Sequence, residues 1–127
     1  MAVVIDSSGW IEHFLDSPQA AFFAPALGNS ADWIVPSLSI YEVHKRLSRG
    51  LPQDVVEDCL SVMRRGVVVD LNDARAVHAS VTGQRHKLAL ADSVMYSIAL
   101  EFGAMLWTQD VDYQGLPSVQ FKAKYKD

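Results

Sequence analysis

The sequence predicts an α/β fold, a mostly parallel central sheet of about four to five strands flanked by helices. Three observations carry that expectation. Short runs of apolar, largely β-branched residues recur along the chain: AVVI at 2–5, WIV at 33–35, VVV at 67–69 and AMLW at 104–107. Runs without polar alternation suit strands buried on both faces of a parallel sheet. The segments between them carry apolar residues at helical spacing, and that alternation of strand and helix is the pattern of α/β folds. No linker, repeat or low-complexity stretch interrupts it, so 127 residues are expected to form one domain, 1–127.

Each element has its own justification. Asp6 ends the first strand, and the helix at 7–16 places Trp10, Ile11, Phe14 and Leu15 on one side, with Glu12, His13 and Asp16 elsewhere. Pro18 opens a second short helix with Phe22, Phe23 and Leu27 inward, and Gly28–Ser30 close it. After the strand at 33–35, a helix over about 38–49 carries Ile40, Val43, His44 and Leu47 on one face; Gly50 is expected to terminate it as a left-handed glycine. Pro52 opens the helix at 53–65, whose final Arg64 and Arg65 complement the helix dipole. Asn72 is a good N-cap for a fifth helix to about residue 84. A sixth helix at 90–102 leads into the strand at 104–107, an acidic loop and a last short strand at 119–121. The basic tail KAKYKD is expected to fray.

Composition narrows the function classes. Half of the chain is hydrophobic, enough for a real core. No apolar run approaches the roughly 20 residues of a membrane helix, and no signal-peptide pattern is present. One cysteine, Cys59, precludes an internal disulfide and fits a reducing, cytoplasmic setting; among Val55, Val56, Leu60 and Met63 it reads as a small core residue. A net charge of −4 argues against a protein that binds nucleic acid through its overall field. It leaves room for an acidic metal site, because bound cations reverse the local field.

The chemistry is expected at four acids. Asp6 follows the first strand, Glu42 lies in the early turns of the helix after the second, Asp92 opens the sixth helix, and Asp110 follows the fourth strand. In open α/β sheets, sites form beyond the carboxyl ends of the strands. Converging carboxylates repel and raise one another's pKa, a cost that divalent cations remove. Hard oxygen donors select Mg²⁺ or Mn²⁺, and such sites hydrolyse phosphodiesters. Each acid also has an ordinary reading: Asp6 as a helix cap, Glu42 as the i,i+4 partner of Arg46, Asp92 as a first-turn acid, Asp110 as a turn residue. Ser7 and Thr108 flank Asp6 and Asp110 and could orient a carboxylate or a water, or simply cap turns. Asp112 could be a fifth acid or a solvated loop residue. Lys45, Arg46 and Arg49 on the third helix, and Arg85, His86 and Lys87 before Asp92, could hold phosphates or sit on solvated helix ends.

At these residues the chain resembles a PIN-domain protein, and within that family the VapC-type toxin ribonucleases of bacterial and archaeal toxin–antitoxin pairs. The resemblance is carried by VVIDSSGWIE, SLSIYEVHKRL, LALADSVMYSIAL and LWTQDVDYQGL, in that order and spacing over essentially the whole chain. It implies a single PIN-like domain in which Asp6, Glu42, Asp92 and Asp110 bind metal and act in catalysis. It implies a Mg²⁺- or Mn²⁺-dependent endoribonuclease cutting structured or messenger RNA. It also implies a homodimer and a cognate VapB-like antitoxin whose tail blocks the active-site groove. Two departures stand out: Tyr96-Ser97-Ile98-Ala99 where the family often has Ala-Ala-Thr-Ala, and Tyr113 where it often has Phe.

Other chemistries fit poorly. His13, His44, His78 and His86 make no zinc-binding spacing, no G-x-S-x-G elbow supports Ser7 or Ser8 as a nucleophile, and there is no Gly-rich phosphate loop. A Mg²⁺-binding phosphoacceptor domain would use Asp70, after VVV. It needs an acid pair after the first strand and a lysine after a late one, whereas Asp6 is followed by Ser7-Ser8 and Thr108 by Gln109. A PIN-like module that binds without cutting is the remaining alternative.

Overall fold

The computed structural model describes residues 1–124. Residues 125–127, the end of the basic tail, lie outside the described residues. Among the described residues there are five strands, β1 (Val3–Ile5), β2 (Ile34–Pro36), β3 (Val67–Val69), β4 (Met105–Thr108) and β5 (Val119–Phe121). Six α-helices alternate with them: α1 (Ser7–Phe14), α2 (Ala20–Leu27), α3 (Ser37–Leu47), α4 (Gln53–Met63), α5 (Asp73–His86) and α6 (Leu90–Glu101). β4 pairs in parallel with both β1 and β5, and β2 in parallel with β3. A parallel bridge between Val3 and Trp33 joins the two groups, so the lateral order is β3-β2-β1-β4-β5.

This order decides where a site can form. From β1 the chain winds outward through β2 and β3, then returns to the other side of β1 as β4 and β5. The direction of winding reverses between β1 and β4, and crevices open at such switch points beyond the strand ends. Asp6 and Asp110 leave those two strands at that end.

Packing holds the crevice walls in place. α1 lies against β1 and α2 because Gly9 lets the backbones approach. A methyl group built on Gly9 would stand 2.6 Å from the Phe23 ring and 2.8 Å from the Ile5 side chain. Trp10, beneath it, meets Trp33 edge-on at 5.0 Å and stacks on Phe14 at 5.8 Å. Gly9→Ala is therefore expected to lower stability. Overpacking costs about 1–3 kcal/mol, which outweighs the ~1 kcal/mol that alanine gains over glycine within a helix. A thermal melt showing an unchanged or higher midpoint would contradict this packing account.

α6 is the central helix. Residues 93–99 are all buried, so it is covered on every side rather than along one stripe. Gly83 of α5 faces Ser93 too closely for any side chain, and the Ser93 hydroxyl turns back to donate to Leu88 O and Ala89 O. α5 and α6 are thereby clamped as a pair.

Several local expectations are corrected. Val67 and Val68 are exposed and only Val69 is buried, because β3 is an edge strand and just its last residue reaches the cluster of Ala79, Val94 and Ile98. Val55 of α4 also faces solvent, while Val56, Leu60 and Met63 carry that helix's core face. α1 ends at Phe14 rather than residue 16, with Asp16 left-handed at φ 51°. α2 begins at Ala20 and accommodates Pro25 within it. Gly50 is not left-handed; α3 closes at Ser48 in the right-handed region. α5 runs on to His86, and Lys87 closes it in the left-handed region at φ 57°.

Candidate metal centre

Acids gather in the crevice at the switch point. A cavity of about 370 Å³ is lined by Asp6, Glu42, Asp92 and Asp110, with Ser7, Ser8 and Gln109 among its other walls. The structure thus brings together the four acids singled out in the sequence, from four different elements. Carboxylate oxygens of Asp92, Asp110 and Asp112 lie within 4.8 Å of one another, which places Asp112 with the cluster.

The carboxylates of Asp6, Glu42, Asp92 and Asp110 are each steered by a neighbouring donor, and three of these donors are hydroxyls. Asp6 caps α1: Oδ1 accepts from the Ser7 N–H at 2.8 Å, and Oδ2 accepts from Thr108 Oγ1 at 2.8 Å. The same Thr108 oxygen accepts the Asp110 N–H at 2.9 Å, so one buried threonine ties the ends of β1 and β4 together. Ser7 Oγ donates to Glu42 Oε1 at 2.6 Å, drawing α3 toward the start of α1. Asp110 Oδ1 accepts the Asp112 N–H at 2.9 Å, capping the short 3₁₀ turn Val111–Tyr113. That turn buries Tyr113 completely and aims its hydroxyl at Asp92, donating to the backbone oxygen at 3.0 Å and to Oδ1 at 3.2 Å.

Burial and repulsion load these acids. Asp6 is only 9% exposed, and its carboxyl is pushed up to about 7. Loss of solvation is the main cause and the charges of Asp92 and Asp110 add to it; the Thr108 and Ser7 hydrogen bonds oppose it. Asp92 is raised as well, first by burial and then by Asp110, with the Tyr113 hydroxyl pulling the other way. Clustered carboxylates that resist ionising are stabilised by a bound divalent cation, and an all-oxygen donor set fits Mg²⁺ or Mn²⁺.

Ser7 and Thr108 are legible in the sequence as neighbours of the acids; their hydroxyls orient Glu42 and Asp6. Tyr113 is legible only as a departure from a family pattern, and its role needs the turn that folds it back onto Asp92. The pairing of Gln109 Nε2 with Glu12 Oε2, at 3.0 Å, has no signal in the sequence. Of the basic residues considered, Lys45, Arg46, Arg49, Arg85 and Lys87 do not line the acidic cavity, whereas Lys124 does. Lys45 lines a separate groove between α3 and α4 with His44 and Arg64, and Arg85 and Lys87 end α5. Asp70 is exposed after edge strand β3, two strands from Asp6, and lies outside the cavity.

Comparison with known proteins agrees with this architecture. The family model of the PIN domain matches residues 3–118. Among curated proteins no sequence matches significantly. A toxin–antitoxin complex from Klebsiella pneumoniae superposes with a TM-score of 0.80 at 17% identity, covering 94% of this chain and 96% of that one. VapC20 of Mycobacterium tuberculosis, a Sarcin-Ricin loop cleaving toxin, superposes at 0.74 with 12% identity over 91% and 95% of the two chains. VapBC2 of Rickettsia felis, solved bound to a promoter DNA fragment, gives 0.72 at 12% identity over 97% and 98%. At such identities the superpositions speak for the fold, while the family model spans nearly the whole chain. This chain belongs to the PIN-domain family.

Proposed function

We propose that this protein is the toxin of a type II toxin–antitoxin pair and a Mg²⁺- or Mn²⁺-dependent endoribonuclease that hydrolyses RNA phosphodiester bonds. The observation that carries the reading is the convergence of Asp6, Glu42, Asp92, Asp110 and Asp112 on one open crevice, several of them held by dedicated donors. Catalysis depends on groups fixed before the substrate arrives, and Thr108, Ser7 and Tyr113 supply that fixing. Asp92, Asp110 and Asp112 would hold a cation between them, with Asp6 and Glu42 completing the acidic wall. Held by these residues, a divalent cation would supply acidification of a water and charge to offset that building on the phosphate. The likeness in fold to proteins solved as toxins with antitoxins supports a VapB-like antitoxin as partner.

A homodimer and a cytoplasmic location belong to the same reading. α5 exposes Val77 and Val81, one turn apart, on a face that a second copy could cover.

The test is direct. Expression without a partner is expected to arrest growth of a bacterial host, and co-expression of its cognate antitoxin, sought as a small gene beside it, to relieve the arrest. The purified chain is expected to cut RNA with Mg²⁺ or Mn²⁺ and to stop in EDTA. A folded, metal-loaded protein that leaves a broad panel of RNAs intact would overturn the nuclease assignment.

A further inference from the structure

The acidic crevice has a neighbour. Beside it lies a second cavity, of about 290 Å³, whose walls include Gln19, Phe22, Gln109, Lys122 and Lys124. Gln109 and Lys124 border both cavities, so the two adjoin at those side chains. We propose that this second cavity is a nucleotide subsite that seats one unpaired RNA nucleotide next to the phosphate held at the acids, its base against Phe22 and its phosphate beside Lys122 and Lys124. The inference deepens the ribonuclease reading and takes the class of ligand from it; the subsite's own support is geometric.

Charge is the first argument. Positive side chains beside the carboxylates add to the charge of a bound cation in drawing a polyanion toward the site. Lys124 brings that charge to the rim of the acidic crevice and Lys122 lines the adjoining cavity, whereas the basic residues of α3 and the end of α5 border neither. The lysines stand on an anchored segment. The Lys122 N–H donates to Thr108 O at 3.2 Å, and Gln19 Nε2 donates to Lys124 O at 3.2 Å.

The aromatic wall is the second argument. Phe22 is held by an edge-on contact with Phe23 at 4.9 Å and a tilted contact with Trp107 at 5.3 Å. A ring fixed in this way, half-buried at a cavity wall, offers a surface on which any base can stack. Size is the third. The cavity stands near the lower end of ligand pockets, roughly 300–1,000 Å³, so it suits a single nucleotide and not a duplex. Bases are read in this way when they are splayed out of loops and single strands. Gln109, pinned by Glu12, forms the partition between the seat for the base and the acids.

The experiment uses the full chain carrying Asp92→Asn, which separates binding from cleavage. Affinity for a fluorescein-labelled single-stranded decaribonucleotide is measured by anisotropy across a salt series. Lys122→Ala is expected to weaken binding about tenfold and to reduce the slope of log K against log salt by ~0.7, the value for one phosphate of a single strand. Phe22→Leu, checked for its fold by circular dichroism, is expected to weaken binding by about tenfold because the base no longer stacks, with the salt slope unchanged. Arg65→Ala, after α4 and away from both cavities, should alter neither quantity. Unchanged affinity in both Lys122→Ala and Phe22→Leu, or no RNA binding by the parent protein, overturns the subsite. RNA binding that responds as expected, in a protein whose wild type cuts nothing, removes the nuclease reading and leaves the subsite standing.

Discussion

Asp92→Asn is expected to reduce metal-dependent RNA cleavage by more than ~100-fold while the protein stays folded. Changes to residues that merely orient a metal ligand already cost 10–100-fold, so loss of a ligand's charge should exceed that. Asparagine keeps the size of the side chain and an oxygen for the Tyr113 hydroxyl, which donates to Asp92 Oδ1 at 3.2 Å. It also removes one of the charges that raise the Asp6 pKa, so the metal-free variant should melt no lower than wild type. Tyr113→Phe gives the graded counterpart. It deletes only the hydroxyl, and about a 10–100-fold loss is expected with weaker Mn²⁺ binding. Single-turnover cleavage assays and calorimetric Mn²⁺ titration check both. Full activity in purified Asp92→Asn would sink the assignment of that residue. Wild type that binds RNA under the same conditions without cutting it would mark a binding module instead.

Stability of the metal-free protein should fall as pH rises from 5 to 8, the reverse of the usual behaviour of a carboxylate. In the folded chain Asp6 keeps its proton up to about pH 7, against an ordinary aspartate value of 3.8. Between those values the native state binds the extra proton. The stabilisation is complete below the unfolded value and is lost as pH climbs through the folded one. At about 1.4 kcal/mol per unit, the full effect is of the order of 4 kcal/mol. Asp92, raised for the same reasons, adds in the same direction. For a chain of this size the shift in melting temperature should be on the order of 10 °C. Millimolar Mn²⁺ should oppose it at pH 8, since a cation that binds only the native state stabilises by ~2.7 kcal/mol at a hundredfold excess over its Kd. Asp6→Asn should flatten the profile. Melts in EDTA at several pH values decide the matter, and a flat wild-type profile would show that burial does not hold the Asp6 proton.

Much of the fold is legible in the sequence because short β-branched runs and helical spacing are local properties. The strands and helices fall close to their expected positions, and α6 is recognisable by its apolar character throughout. The exceptions share a cause. Val67–Val69 reads as a buried strand, yet two of its three residues face solvent because β3 is at the sheet edge, and edge position is a property of strand order. Gly50 follows a helix as terminating glycines do, but the chain turns there without entering the left-handed region. The acids are legible as candidates by their joint placement at the ends of alternating elements, although each has an ordinary reading by itself. Asp6 in fact has both duties, capping α1 while facing the crevice. Basic residues next to the acids in sequence do not line the crevice. A helix carries its end several ångströms from its start, and Lys124, far along the chain, lines the crevice instead.

What the sequence determined by itself was the alternation of strand and helix, and which acids stand at the ends of those elements as candidates, since side-chain chemistry and periodicity are written residue by residue. What only the tertiary structure decided was their convergence. The reversal of winding between β1 and β4 brings together the ends of strands about a hundred residues apart, as the Thr108–Asp6 hydrogen bond, 102 positions across, records. Thr108 and Tyr113 can then hold Asp6 and Asp92, because a hydrogen bond requires two groups within about 3 Å, whatever their separation along the chain.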